Sequence, residues 1–228
     1  MFGHGQVEGL TEKYGMEYRR AYWDEKPDEH LIQRHEHEIF PLMHKRYLFA
    51  HVNNFYLYDF FTPEGGVNED VFAYSNVFGD ERGLVVYHNR YADARGWIRT
   101  SVAFSLKTGG DDRKLMQKNL GQGLNLPYDD RSFCIFRDHV TGLEFIRNCK
   151  DIHEQGLFVE LGAYKFQVFL DWRVVHDNEW HHYSNLASFL NGRGVPNIEI
   201  ALKETFLQPI HHPFKELVNA EQLTKLME

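Results

Sequence analysis

The sequence is poor in the features that mark several classes of protein. Its 228 residues include two cysteines, Cys134 and Cys149, too few for a disulfide framework. This favours a reducing compartment, although one bridge between them stays open. No run approaches the roughly 18 apolar residues of a membrane helix, and the opening residues MFGHGQVEG lack the basic and apolar regions of a signal peptide. We therefore predict a cytoplasmic protein with no membrane partner, on the condition that Met1 is the true start.

Positive charge is also scarce. The chain carries 25 lysines and arginines against 33 aspartates and glutamates, a formal net charge of −8, and the basic residues are scattered. An acidic chain without a basic cluster repels phosphate backbones, so we expect no nucleic-acid partner. The chain is, however, 43% apolar and 15% aromatic. That composition suffices for the core of one large or two small domains.

The clearest structural pattern is the stretch Val71–Arg90. Two sets of side chains alternate along its first half, Val71, Ala73 and Ser75 against Phe72, Tyr74 and Asn76. Such alternation is typical of a strand that buries one face. Gly79 and Gly83 flank a polar turn, and the apolar run Leu84–Tyr87 has the length of a second strand. The stretch predicts an antiparallel hairpin.

Further strand patterns follow at short intervals, with turn signals between them: Phe55–Phe61, Trp97–Leu106, Phe133–Asp138, Leu157–Leu161 and Tyr164–Leu170. Leu115–Leu120 is ambiguous, and Gly142–Arg147 suits a strand or a short helix. Short strands at this spacing are typical of a β-sandwich or barrel. We therefore predict an α+β fold, an antiparallel β-sandwich domain flanked by an N-terminal helical segment and a C-terminal helical tail.

Helices are predicted on both sides of these strands. Asp28 is a suitable N-cap for a helix that begins near Glu29, and Pro41 should end or kink that helix. The tail predicts three helices: one capped by Asp177-Asn178 and running to Leu190, one over Asn197–Leu207 and one over Pro213–Met227.

Two groupings of reactive side chains do not predict chemistry. His35 and His37 fall on a predicted helix, where residues two apart point about 200° from each other and cannot ligate one metal ion. Cys134, Asp138 and His139 could be drawn as a nucleophilic triad, but adjacent residues of a strand point to opposite faces. Cys134 is better interpreted as a small core residue. We therefore predict no metal site and no cofactor.

The segment near the N-terminus has a different character. Three glycines within nine residues frame His4, Gln6 and Glu8. Glycines this dense disfavour helix and strand, so the segment is predicted to be a loop. Its spacing fits neither a phosphate-binding loop nor a dinucleotide fingerprint. Taken alone, the segment is also consistent with a frayed polar terminus.

Four stretches resemble the α-amylase family of glycoside hydrolases. The C-terminal β-domain of that family commonly opens with a strand such as "vfaysR", a "gde" turn and a strand such as "llVvvN", and Val71–Asn89 reads VFAYSNVFGDERGLVVYHN. Gln33–Leu42 resembles the end of the last barrel helix, "LRkehPaL", and Leu161–Phe169 resembles the closing strand, "LpPyeayvl". Met1–Gly9 resembles the "P-x-iyyGdEiG" loop that follows the eighth barrel strand.

The resemblance covers about Met1–Trp172 and implies a domain organisation. Residues 1–50 would be the end of a (β/α)8 barrel, residues 51–175 the C-terminal antiparallel β-domain with an insertion near 105–154, and residues 176–228 a helical tail outside the family pattern. Loops at the carboxyl ends of barrel strands face the substrate. The resemblance therefore implies that His4, Gln6 and Glu8 contact an α-glucan.

The catalytic carboxylates of the family have no counterpart in this chain. Family members hydrolyse or transfer α-1,4-glucans with retention, using an Asp nucleophile, a Glu acid and a further Asp, and retention needs two carboxyls about 5–5.5 Å apart. The Arg-x-Asp, Glu and Asn-His-Asp motifs that supply them would lie upstream of Met1, and Arg137-Asp138-His139 does not match them. The resemblance therefore implies a non-catalytic region that is inactive alone, with no catalytic residue of its own.

Two other hypotheses stay open. In a free-standing carbohydrate-binding module, aromatic residues could stack on sugar rings, although each also suits an ordinary strand or core position: Tyr74, Tyr87, Tyr91 and Trp97. The remaining hypothesis is a purely structural or assembly domain. In both cases the N-terminal helix would expose an apolar face, which favours docking onto the sandwich or self-association.

Overall fold

The computed structural model describes residue 3 and residues 5–12, 22–109 and 112–217. The chain divides into two compact units, Met1–Val52 and Asn53–Glu228. The first unit is helical, and its described helices follow one another closely: α1 (Glu29–Arg34), a π-helical turn (His35–Ile39), α2 (Phe40–His44) and α3 (Arg46–Phe49).

The start of α1 confirms the predicted cap. Asp28 Oδ1 accepts hydrogen bonds from the backbone N–H groups of His30 at 3.0 Å and Leu31 at 3.1 Å, which satisfies donors that the first helical turn leaves free. Pro41 lies in the first turn of α2, directly after the π-helical turn. The π-helical turn thus interrupts the α-helical hydrogen-bond pattern just before Pro41. Proline has no backbone N–H, so it could not have donated the next bond of an uninterrupted α-helix.

The second unit is built on strands. Its described residues form ten of them: β1 (Tyr56–Phe61), β2 (Val71–Phe78), β3 (Glu81–His88), β4 (Ala94–Ser101), β5 (Phe104–Gly109), β6 (Asp112–Met116), β7 (Ser132–Asp138), β8 (Glu144–Asn148), β9 (Leu157–Leu161) and β10 (Phe166–His176). Eight pair in one antiparallel sheet in the order β8-β7-β10-β3-β2-β1-β4-β9, and β5 pairs only with β6. The predicted α+β class with an antiparallel β-domain between helical segments is confirmed.

The hairpin predicted over Val71–Arg90 lies at the centre of the sheet. β2 and β3 pair without a bulge, from Val71 opposite His88 to Phe78 opposite Glu81. Gly79 takes a positive φ of 58° in the two-residue turn, a conformation that glycine adopts without steric cost. The residue alternation and the turn chemistry in the sequence were sufficient to specify this element.

Two predicted elements differ in the structure. The single strand predicted over Trp97–Leu106 is divided in two: β4 pairs with β1 and β9 in the large sheet, whereas β5 pairs with β6. Side-chain alternation gives no information on where a strand changes its pairing partner. The ambiguous stretch Leu115–Leu120 divides likewise into the end of β6 and the start of a helix.

The large sheet curls, so that its inner face encloses one core. Aromatic side chains fill it where β7 meets β10. The ring of Phe136 stacks on Trp172 with centroids 4.2 Å apart and meets Phe169 edge-on at 5.2 Å. A bulge in β10 places Asp171 at a positive φ of 53°. Because of this extra residue, Phe169 and Trp172 both reach the core although they are three positions apart.

Two short helices complete this core, α4 (Leu120–Gly123) and α5 (Cys149–Glu154). Asn119 and Gln122 form a reciprocal capping box on α4, and Asn148 Oδ1 caps α5 through the N–H of Lys150 at 2.8 Å. Their apolar side chains belong to the core cluster: Leu120, Leu124, Cys149 and Ile152. The segment 105–154 therefore contributes two strands of the large sheet and part of its core.

The C-terminal helices α6 (His182–Leu190) and α7 (Ile198–Leu217) pack on the opposite face of β7 and β8. They bury a second apolar cluster there: Phe133, Ile135, Ile146, Leu186, Leu190 and Ile198. The Asp177 carboxylate accepts the N–H groups of Tyr183 and Ser184 at 3.0 and 3.2 Å, as predicted for a cap. The helix nevertheless starts later than predicted, because α6 begins at His182 and Trp180 precedes it.

The prediction of two separate helices after Asn197 is wrong. α7 runs without interruption through Pro209 and Pro213 to Leu217, and the remainder of the predicted third helix lies outside the described residues. A proline removes one backbone donor, but the bonds on either side of it can hold a long helix together. Within the described part of the chain, no helix has the length and apolar content needed to cross a lipid bilayer.

Candidate functional site

The N-terminal loop, predicted to face substrate, is held by local bonds. Gln6 Oε1 accepts the backbone N–H of Gly3 at 2.7 Å, and the carbonyl of Glu8 accepts the N–H of Asp28 at 2.8 Å. The loop therefore ends against the start of α1. His4 lies outside the described residues. A role for Gln6 and Glu8 in binding a substrate stays a prediction.

The two helical histidines are used by the helix itself. The Nδ1 atoms of His35 and His37 donate to the backbone carbonyls of Leu31 and Gln33, each at 2.8 Å. These bonds turn each imidazole back along its own helix. Among the residues that the structure describes, no group of three or more His, Cys, Asp and Glu side chains is arranged to hold a metal ion.

The Cys134–Asp138–His139 grouping is structural. The Asp138 carboxylate is buried, accepting the Thr141 hydroxyl at 2.7 Å and the Val140 N–H at 3.3 Å, so it closes the turn after β7. Burial raises the pKa of the Cys134 thiol, and the neighbouring Cys149 thiol raises that pKa further. A buried thiol with a raised pKa is a weak nucleophile.

Glu144 carries a buried carboxylate that no sequence pattern indicated. The residue is only 2% exposed. Arg137 Nη2 donates to its Oε1 at 2.8 Å, and Arg173 reaches both oxygens at 3.1 and 3.3 Å. The backbone N–H of Ile198 at the start of α7 donates to Oε2 at 2.8 Å. We call this group of four residues the Glu144 cluster; it joins β7, β8, β10 and α7.

The charges of the Glu144 cluster fix its protonation state. Burial by itself would raise the pKa of the Glu144 carboxyl, but the hydrogen bond from Arg173, the Ile198 N–H and the charges of both arginines outweigh it. The pKa therefore lies below its ordinary value, and Glu144 is ionised at neutral pH. Since its oxygens already accept four bonds, this carboxylate serves packing rather than proton transfer.

A cleft of about 990 Å³ opens beside β8, α5 and β9. Its lining mixes aromatic rings with charges of both signs: Phe145, Phe158, Arg147, Lys150, Asp151 and Glu160. Arg147 is engaged here, because its guanidinium donates to Ile146 O at 2.8 Å and to Gly192 O at 2.9 Å. The cleft marks the seam where the two edge strands of the curled sheet do not pair.

The four aromatic residues predicted to stack on sugar fall into two groups. Three are half-buried and engaged: Trp97 packs on Phe158 with centroids 4.8 Å apart, Tyr74 on Phe55 at 5.6 Å, and the Tyr87 hydroxyl donates to Asn89 at 3.1 Å. These three side chains therefore match the alternative to sugar stacking, in which they are ordinary strand residues.

Tyr91 differs from these three. It is 83% exposed in the loop between β3 and β4, and its ring centroid lies 6.3 Å from that of Tyr164, which is itself 56% exposed in the turn before β10. Sequence reasoning missed Tyr164, because its loop is 73 positions further along the chain and only the fold brings the two turns together.

No known protein family, curated protein or solved structure matches the chain. A function is therefore proposed from its own residues and their geometry.

Proposed function

We propose that the chain is a non-catalytic region of an amylase-type enzyme that acts on α-1,4-glucans, with residues 51–175 as its C-terminal β-domain. The observation that supports this most is the position of the resembling stretches in the curled sheet. Val71–Asn89 contains the central hairpin, and Leu161–Phe169 contains the start of β10, which pairs with β3 from Phe166 opposite Tyr87. Two stretches that resemble one domain are thus neighbours in one sheet.

The buried carboxylates are consistent with a non-catalytic role. Retaining hydrolysis needs one carboxylate free to attack and one carboxyl able to give up a proton. The oxygens of Asp138 and Glu144 are instead bonded within a turn and within the Glu144 cluster. The buried, unbridged Cys134 and Cys149 suit the cytoplasmic location proposed with this function.

An activity assay tests the non-catalytic part of the proposal. The purified 228-residue chain, incubated with soluble starch, is expected to release no reducing ends above a buffer blank. An active α-amylase in the same buffer is the positive control. Turnover by the chain alone would contradict the proposal, because it would require catalytic carboxylates within these residues.

A second candidate function is a free-standing carbohydrate-binding module, and the exposed pair of Tyr91 and Tyr164 favours it. Both candidates are inactive on starch. They differ in whether the DNA upstream of the Met1 codon encodes a catalytic barrel, in the same reading frame or in a frame displaced by a single insertion or deletion. Sequencing of that DNA decides between them.

A further inference from the structure

We propose that Tyr91 and Tyr164 form a binding site for the glucose rings of an α-1,4-glucan at one end of the large sheet. The identity of the sugar rests on the proposed function, whereas the location of the site rests on the structure alone. We call these two residues the tyrosine pair.

The tyrosine pair presents aromatic faces that the fold does not use. The two residues are 83% and 56% exposed, and their rings are inclined by 42° with centroids 6.3 Å apart. Large apolar side chains normally gain stability by burial, so two neighbouring exposed rings mark a surface available to a ligand. Sugar C–H groups carry slight positive charge and stack on the negative faces of aromatic rings. Successive rings of an α-1,4-glucan are inclined to one another, as these two tyrosines are.

The loops that carry the tyrosine pair are fixed. Arg90 Nη1 bonds Asp70 Oδ2 at 2.8 Å, and the N–H of Asn89 donates to Asp70 O at 2.8 Å. The N–H of Tyr164 donates to Arg90 O at 3.2 Å, which joins the two loops directly. A site whose loops are already ordered loses little conformational freedom when it binds.

The backbone at Tyr164 is strained. Its φ of 53° lies in the left-handed region, which an aromatic residue adopts only at a cost in conformational energy. Strain of this kind persists where the surrounding structure imposes it, and it is concentrated at binding sites and other functional positions. The strained backbone holds the ring beside Tyr91.

Polar groups that could bind sugar hydroxyls lie beside Tyr91. A shallow cleft of about 600 Å³ beside Tyr91 is lined by Asn68, Glu69, Asp70, Arg90 and Asp93. A second cleft, of about 520 Å³, is lined by Asp93, Arg95 and Glu160. Each hydroxyl both donates and accepts, so carboxylates, an amide and guanidinium groups beside aromatic faces suit a neutral polyol. Three of the four charged groups beside Tyr91 are carboxylates, which argues against a phosphate-bearing ligand.

Affinity electrophoresis of the full chain through gels containing amylopectin tests the site. The wild-type chain is expected to be retarded, and Tyr91→Ala and Tyr164→Ala are each expected to weaken the affinity about tenfold. Tyr91→Phe retains the aromatic face and should keep most of the retardation. Tyr128→Ala is the matched control, since Tyr128 is also exposed but lies outside the pair. Thermal unfolding of every variant verifies that it is folded.

Each outcome decides the inference. Loss of retardation in the two alanine variants, but not in Tyr91→Phe or Tyr128→Ala, supports the tyrosine pair. Equal retardation of all variants overturns the tyrosine pair as the site but still shows a glucan-binding protein, so the proposed function survives. If the wild type is not retarded, the site does not bind the glucan, and the proposed function is then judged only by the DNA upstream of Met1.

Discussion

The Glu144 cluster and the tyrosine pair break the usual distribution of residues in opposite ways. The first buries a charge, and the second exposes two aromatic rings. The buried carboxylate is compensated within the chain, since Arg137, Arg173 and Ile198 donate to it. The exposed rings of the tyrosine pair contact each other but leave most of their surface to solvent. The first arrangement stabilises the fold, and we propose that the second serves a ligand.

The largest expected effect comes from breaking the Glu144 cluster. Glu144→Ala leaves two arginines and a backbone N–H without their acceptor and should lower the free energy of unfolding by about 3 kcal/mol. This is the low end of the range for buried pairs, because both arginines keep some contact with water. Urea denaturation measures it. Glu160→Ala, at an exposed position of β9, is the control and should change little; equal losses would contradict a special role for Glu144.

The pH dependence of stability separates charge from packing in the Glu144 cluster. The pKa of Glu144 is lowered in the folded state, so its stabilisation is fully present above the ordinary pKa of about 4.3 and is lost as the pH falls through the folded-state pKa. Glu144→Gln removes this titration. We expect the wild-type free energy of unfolding to fall more steeply than that of Glu144→Gln between about pH 5 and pH 3. Parallel profiles would show that Glu144 is not the titrating group.

The smallest stability effect is expected at the tyrosine pair. Tyr91→Ala removes a ring that is mostly in water, so the free energy of unfolding should change by no more than about 0.5 kcal/mol. The same substitution should weaken glucan binding, whereas the effect expected of Glu144→Ala is on stability. A loss of stability as large as that of Glu144→Ala would mean that the tyrosine pair stabilises the fold.

The parts of the fold that local sequence determines were predictable. The central hairpin follows from residue alternation and a glycine in its turn, and the caps Asp28 and Asp177 bond to donors only two to seven positions away. The interruption at Pro41 likewise follows from a missing backbone donor.

The parts that depend on distant contacts were not predictable. Glu144 bonds to Arg173 and Ile198, which are 29 and 54 positions away. No local sequence pattern indicates contacts between residues so far apart. The division between β4 and β5 appears only in their pairing with different partners, β1 and β9 for β4 and β6 for β5. Tyr164 gains its place beside Tyr91 only because the turn before β10 lies against the loop after β3. Its strained φ is also invisible in the sequence.

The central proposal is that this chain is part of an amylase-type enzyme, and the DNA upstream of the Met1 codon tests it most directly. We expect translation of that DNA to give a (β/α)8 barrel in the same frame, or in a frame displaced by a single insertion or deletion, with an Asn-His-Asp motif among its catalytic segments. Unrelated upstream DNA would contradict the claim. The chain would then stand alone, and carbohydrate binding at the tyrosine pair would be the remaining candidate for its function.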